Sequence, residues 1–183
     1  MICLSYNCKG LANSDKKLAL KRLLHATRID ALFLQETLGD GLSITKILTP
    51  LLPDWSFATI DARGRSGGCA LGINNKTIRV LNWWGRVGAI GAEVITRELD
   101  LPISLINVYG PCLHKETFWD SLLSCTLLQQ NNIVLGDDMN FSIGISESWG
   151  PQAIPDPLSD YFANQLELAG LLDIEMPKKT PTW

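Results

Sequence analysis

Between Trp55 and Tyr109 one extended segment follows another with turns and no helical period between them, and this run constrains the fold of the 183-residue chain more than any other feature. Trp55 to Ile60 reads as a strand and Arg63 to Gly68 as a turn. Cys69, Leu71 and Ile73 alternate in the next strand, Asn74 and Asn75 reverse the chain, and Ile78 to Trp83 returns. Gly88 to Asp100 and Ile103 to Tyr109 are two more strands, joined at Asp100 to Pro102. Successive strands with such short links pair antiparallel, because a parallel pair needs a crossover of about a dozen residues or more. A doubly wound, all-parallel sheet is therefore excluded.

The flanks of this run read differently. Residues 2 to 7 form a strand, Ser14 is expected to cap a helix reaching about Ala26, and Leu20, Leu23, Leu24 and Thr27 are spaced to cover a sheet. Ile29 to Leu34 is a short apolar run, a core strand that delivers Gln35 and Glu36 at its end. A short helix is expected over 42 to 49, before Pro50 and Pro53. On the far side, His114 to Gln129 reads as a helix, Asn132 to Leu135 as a strand and Gly136 to Ser142 as a loop. Asp156 and Pro157 open a last helix with Leu158, Phe162, Leu166 and Ala169 on its buried stripe, closed by Gly170, and Leu171 to Ile174 is a short strand. The order implies an α/β architecture in a single domain, residues 1 to 183: a two-sheet sandwich faced by helices on both outer sides. On this count the second sheet is short of strands, and its open edge is a surface for self-association.

Composition removes several functions. The formal charge is −3, from 16 basic and 19 acidic residues with no run of Lys or Arg, so affinity for nucleic acid from charge alone is not expected. An enzyme that meets phosphate through a bound cation can work with such a balance, because the ion supplies the local positive charge. Five cysteines without a CxxC pair and only two histidines give a zinc site little support, and read as reduced thiols in an intracellular protein. No apolar run reaches the roughly 20 residues of a membrane helix, and the opening MICLSYNCKG lacks the basic region of a signal peptide.

Polar residues that break the apolar pattern at the C-terminal end of a strand are the candidates for chemistry, since strand ends of layered α/β folds converge on ligand crevices. Asn7, Glu36, Asn107 with Tyr109, and the group Asp137, Asp138 and Asn140 all stand there. A carboxylate such as Glu36 is a hard oxygen ligand for Mg²⁺, and Mn²⁺ takes the same donors. Asp138 could position or deprotonate a water, Tyr109 could donate to a phosphate, and Asn7 and Asn140 could hold oxygens without adding charge. Each has an ordinary reading beside this one. Asn7 and Asn107 resemble asparagines that bond their own backbone at a strand end, Glu36 could open a surface loop, and Tyr109 could simply pack over a strand exit. Arg63 and Arg65, among glycines, form a basic loop suited to a nucleic-acid backbone or an ordinary hairpin turn. Trp83 and Trp84 read first as sheet packing. His25 and His114 read as surface or capping histidines, which leaves the candidate site without an imidazole.

Together the segments MICLSYNCKGL, LFLQET at 32 to 37, GRSGGCALGI at 64 to 73, NVYGP at 107 to 111, the FW pair at 118 and 119, VLGDDMNF at 134 to 141, LLDI at 171 to 174 and PTW at 181 to 183 are specific. They resemble the endonuclease/exonuclease/phosphatase superfamily as it occurs in plant LINE-type (non-LTR) retrotransposons. The resemblance implies a four-layer α/β/β/α sandwich of the DNase I-like type with its last strands missing. It also implies Mg²⁺-dependent cleavage of phosphodiesters with DNA as the partner, and a nuclear location. It matches Asn7 to the first active-site asparagine, Glu36 to the metal ligand, Tyr109 to the phosphate-contacting tyrosine, Asp138 to the catalytic aspartate and Asn140 to its partner. Asp137 stands where the family has a glycine and Met139 where it has an aromatic residue. The family's later serine–arginine–hydrophobic–aspartate and serine–aspartate–histidine segments do not occur in this sequence. The resemblance thus implies a C-terminally truncated domain that is weak or inactive as a nuclease; phosphodiesterase or phosphatase action on another substrate, or a binding role alone, are the alternatives.

Overall fold

The computed structural model describes residues 1–64, 66–125, 132–144 and 156–174, and the chain divides into two compact units. The first holds residues 1 to 111 and the stretch around the last strand, through Asp138; the second holds the rest.

In the first unit β1 (Cys3–Asn7) is followed by α1 (Ser14–Ala26), β2 (Ala31–Gln35) and α2 (Gly41–Leu48). The strands β3 (Trp55–Arg63), β4 (Ser66–Asn74), β5 (Ile78–Arg86), β6 (Ala89–Thr96) and β7 (Ile103–Tyr109) then run without interruption, and β8 (Ile133–Asp138) completes the set. They form two four-stranded sheets, ordered β1-β2-β4-β3 and β5-β6-β7-β8. Within the run β3–β4, β5–β6 and β6–β7 pair antiparallel as their short links require, but β4 and β5 do not pair: the Asn74–Asn75 turn carries the chain from one sheet to the other. β4 also pairs antiparallel with β2, while β1–β2 and β7–β8 are parallel.

The sheets pack face to face because alternate residues on both are apolar. Ala31, Phe33, Cys69, Leu71 and Ile73 of the first meet Ile90, Ala92, Val94, Ile103 and Leu105 of the second in one buried cluster. The other face of the first sheet offers Leu32, Leu34 and Ala70 to Leu20 of α1 and to Ile44 and Leu48 of α2. On the outer side of β5 the Trp84 indole lies across Gly91, where a Cβ would be 2.0 Å from Cε2, so that pairing admits no larger residue. Trp83, on the opposite side, packs against the core between the sheets. Both tryptophans are sheet packing.

The second unit contains α3 (Lys115–Leu123) and α4 (Ser159–Leu168). Phe141 and Phe162 stack with centroids 3.6 Å apart, Trp119 meets both edge-on, and Lys115 bridges to Asp156 at 3.1 Å.

Several boundaries depart from the sequence reading. Asn13, not Ser14, caps α1, its side chain accepting from the Asp15 amide. The strands β3 and β4 consume most of the expected turn, leaving Gly64 as its remaining described residue. β8 runs on to Asp138, so the expected loop begins later, because pairing with β7 holds its backbone through Tyr109↔Asp138. α4 starts two residues after Pro157, with the Asp156 side chain accepting from the Leu158 amide in the turn before it. Residues 171 to 174 are not a strand; Leu172 and Ile174 are exposed, and among the described residues no strand pairs with them. The helix expected from His114 to Gln129 runs only from Lys115 to Leu123, with Ser124 and Cys125 already out of it; residues 126 to 129, Arg65 and the PTW motif lie outside the described residues.

Candidate active site

Strand register alone brings the site together. Asn7 pairs with Gln35 at the ends of β1 and β2, and Tyr109 with Asp138 at the ends of β7 and β8. Counting back by twos from Asn7, Gln35, Tyr109 and Asp138 reaches Cys3, Phe33, Leu105 and Val134, all packed in the core between the sheets. By the period-two rule the four polar residues face the same inner space.

Asn7 joins the two sheets. Its Nδ2 donates to Glu36 Oε1 at 3.0 Å and to Asp138 Oδ2 at 2.5 Å. Its Oδ1 accepts from the Lys9 amide at 3.1 Å, so the asparagine both closes its own turn and bridges two acids. Asp138 is 6% exposed, and a carboxylate buried to that degree is retained only when other groups stabilise its charge.

Glu36 is held in an unusual backbone conformation. Its φ is +51° and that of Leu38 is +53°, values that non-glycine residues adopt at a cost of about 1–2 kcal/mol each. Both sides of the chain maintain them. The amides of Gly10 and Leu11 donate to the carbonyls of Glu36 and Thr37 at 2.7 and 3.0 Å. The amides of Thr37 and Leu38 donate to the carbonyls of Gly68 and Gly67 at 3.1 and 3.2 Å. Gly67 and Gly68 themselves have φ of +79° and +82°. Strain over-determined in this way collects where a side chain must point in one direction.

Behind the acids lies a buried amide pair. Gln35 Nε2 donates to Asn107 Oδ1 at 2.7 Å and to Ser5 Oγ at 3.1 Å, and Asn107 Nδ2 donates to the carbonyls of Leu34 and Ala70, both at 2.9 Å. Asn107 therefore bonds not its own strand end but the opposite sheet. Gln35 Oε1 and Thr37 Oγ1 are buried without a hydrogen-bond partner.

The Tyr109 ring lies over Gly67, 3.7 Å from where a Cβ would be, which places it at the base of the hairpin that carries Arg63. Arg63 is exposed. Burial pushes the nearby Cys8 thiol up to about 11 and Cys69 up to about 12, so neither is a nucleophile at neutral pH.

Of the residues singled out from the sequence, Asn7, Glu36 and Asp138 are in direct contact, Asn107 lies one step behind through Gln35, and Tyr109 is in register with Asp138. Asn140 belongs to the second unit, with φ of +56°; the side chain of Asp137 and all of Arg65 lie outside what is described. Sequence reading passed over Gln35 and the Gly67–Gly68 pair as participants. The signal for Gln35 was present, since it is a polar residue in an inward register position of an otherwise apolar strand.

Two carboxylates flanking an amide are a hard-oxygen donor set. It fits a small divalent cation that keeps most of its waters and takes one or two carboxylates. Among the described residues no group of three His, Cys, Asp or Glu side chains could enclose an ion, so a fully protein-ligated site is not what these residues make.

Two layered sheets of mixed pairing, with an acid pair at their strand ends, define the class of two-sheet α/β sandwiches. The sequence matches the Endonuclease/Exonuclease/phosphatase family over residues 4–173, and the chain belongs to that family. An AP endonuclease from Archaeoglobus fulgidus is similar with a TM-score of 0.68 and 16% identity, covering 92% of this chain and 71% of that one. The endonuclease domain of TRAS1, a telomere-specific non-LTR retrotransposon, has a TM-score of 0.64 and 14% identity, covering 92% and 71%. The human Nocturnin catalytic domain has a TM-score of 0.59 and 14% identity over 76% of this chain; this chain spans 64% of its length. These likenesses show the fold, an α/β sandwich of the DNase I-like type. No curated protein sequence matches the chain. Among the described residues no helix is long and apolar enough to cross a membrane.

Proposed function

We propose that the chain is a divalent-metal-dependent phosphodiesterase that nicks DNA, of the kind encoded by non-LTR retrotransposons, with both units acting as one domain. The observation that carries this reading is the single amide of Asn7 bonded to carboxylates from two different sheets. The ordered motifs and the family match across residues 4–173 support it.

In this reading Glu36 holds Mg²⁺, or Mn²⁺ in its place. Such an ion supplies the positive charge that offsets the charge developing on a phosphoryl group. Asp138 orients the attacking water and takes its proton. Asn7 keeps the two acids in place by donating to both. The Tyr109 hydroxyl donates to a non-bridging phosphate oxygen. Arg63, with Arg65 beside it in sequence, meets the substrate backbone from the hairpin. Asn140 takes the role its motif implies, the asparagine partner of Asp138, and Asp137 adds negative charge to the same segment. Turnover is expected to be slow. The base is a carboxylate, and an ordinary carboxylate is a weak base at neutral pH.

The test is nicking of supercoiled plasmid by residues 1 to 183 in Mg²⁺, with EDTA and Glu36→Gln as controls. Nicking abolished by both supports the reading. No nicking from a folded chain that also fails to bind Mn²⁺ sinks it, and leaves a binding role alone. A second reading, hydrolysis of a small phosphate ester, is favoured by the formal charge of −3 without a basic run. Turnover of inositol phosphates but not of plasmid or an abasic-site duplex would select it.

A further inference from the structure

Beneath Glu36 the inner space between the sheets is not filled with apolar side chains alone. Gln35 and Asn107 are both fully buried, and they are joined by a 2.7 Å hydrogen bond. Burying two amides is costly unless their groups are paired, and a hydrophobic pair of the same size would fill the space at no such cost. Their directions are informative. Asn107, on β7, spends both Nδ2 hydrogens on carbonyls of the facing sheet, Leu34 on β2 and Ala70 on β4. Its Oδ1 then receives Gln35, whose other hydrogen goes to Ser5 on β1. Asn107 thus ties β2 and β4 of one sheet to β7 of the other, and Gln35 extends the tie to β1.

We propose that Asn107 and Gln35 are positioning residues for the Glu36 carboxylate, setting its distance from Asp138 and hence the affinity of the site for a divalent cation. The proposal rests on the reading of Glu36 as the ligand of the cation, with the Asp138 carboxylate adding negative charge beside it. Glu36 and Asp138 stand at strand ends of different sheets, both close to this amide pair: Glu36 directly follows Gln35 of β2, and Asp138 is in register with Tyr109, two residues after Asn107 on β7. The spacing of the acids is therefore the spacing of the sheets at this end. Apolar packing between β-sheets is non-directional; hydrogen bonds from Asn107 to two main-chain carbonyls add a fixed length and direction at this end. The left-handed Glu36 backbone aims the carboxylate, and the amide pair sets how far it stands from its partner.

The test is Mn²⁺ titration of the full chain, followed by electron paramagnetic resonance, on Gln35→Met and Asn107→Leu, which keep volume and remove the hydrogen bonds. Groups behind a metal ligand typically change affinity by about 10–100-fold, and a loss in that range is expected for both variants. Ile73→Ala, four residues away along β4 at the other end of the same core, is the control for destabilisation, and is expected to lower the unfolding midpoint without moving the affinity. In a Glu36→Gln background the Gln35→Met substitution is expected to cost nothing further. Wild-type affinity in both variants, or an equal loss in Ile73→Ala, overturns the proposal. If neither variant folds, Ser5→Ala on the exposed edge strand decides. A several-fold loss is then expected, and an unchanged affinity overturns it. Failure of the wild-type chain to bind Mn²⁺ at all would overturn the metal-site reading itself, an outcome distinct from wild-type binding that the variants leave unaltered.

Discussion

A Cβ built on Gly68 would stand 2.4 Å from Thr37 Oγ1, and 3.3 Å from the amide nitrogens of Leu38 and Ala62. The space beside the Glu36 turn therefore admits the threonine side chain or a larger residue at 68, not both. With φ at +82°, Gly68→Ala carries the left-handed cost of about 1–2 kcal/mol and an overpacking cost of about 1–3 kcal/mol. Gly64→Ala, with φ of +65° and nothing within 4 Å, should show the first cost alone. Urea unfolding of the two variants measures the difference, and equal losses would mean that the turn yields without strain.

Asp138→Asn and Glu36→Gln should separate chemistry from binding. Replacing the base is expected to lower plasmid nicking by about 10²–10⁴-fold while Mn²⁺ still binds, since that is the range a positioned acid or base contributes. Glu36→Gln should weaken Mn²⁺ binding itself. Circular dichroism is expected to be unchanged in both. Loss of metal from Asp138→Asn as severe as from Glu36→Gln would show that both acids are ligands and that neither is free to act as base.

Gly136 lies on the inner face of β8, where a Cβ would be 2.6 Å from Phe33 Cγ. Gly136→Ala is expected to cost about 1–3 kcal/mol by overpacking. Combined with Phe33→Leu, which vacates part of that space, the loss should be less than the sum of the single losses. Additive values would show that the ring does not limit the position.

Burial pushes Cys8 up to about 11 and Cys69 up to about 12, chiefly by desolvation of the thiolate. An unfolded thiol titrates near about 8.5. The folded chain holds these protons more tightly, so its stability is intact below that value and declines as pH rises through it towards 11 and 12. Urea midpoints at pH 7, 9 and 10 should fall in that order. The exposed Cys112 should alkylate in the native state while Cys8 and Cys69 stay protected. Prompt labelling of either buried thiol would contradict their packing.

The strands were legible in the sequence because both sheets bury alternating or continuous apolar residues, and Ile103 to Tyr109 matches β7 to the residue. Register was not legible, and with it went the end of β8. Asp138 reads as a loop residue because acids rarely end a buried strand, whereas pairing to Tyr109 keeps its backbone extended. Asn7, Glu36 and Asp138 could be named from motif and strand-end position alone. That one amide joins the two acids could not, since the bond spans 131 residues. Asn107 was read as an asparagine bonding its own strand end; its partners are in the opposite sheet, a fact of tertiary packing that no local pattern encodes. Leu171 to Ile174 failed as a strand for the opposite reason, an apolar run with no ladder to join.

The separation between Asn7 and Asp138 has a consequence for how the protein comes into being. Asn7 is made well before Asp138, and more than a hundred other residues must follow it before the carboxylate it bridges exists. Contacts so distant along the chain are entropically expensive to form early, and chains rich in them fold slowly. The first sheet can assemble from the opening 74 residues, so during synthesis Glu36 and its glycine-clamped turn stand ready while their partner is still unmade. A nascent chain thereby lacks the paired carboxylates until nearly all of the first unit has been translated.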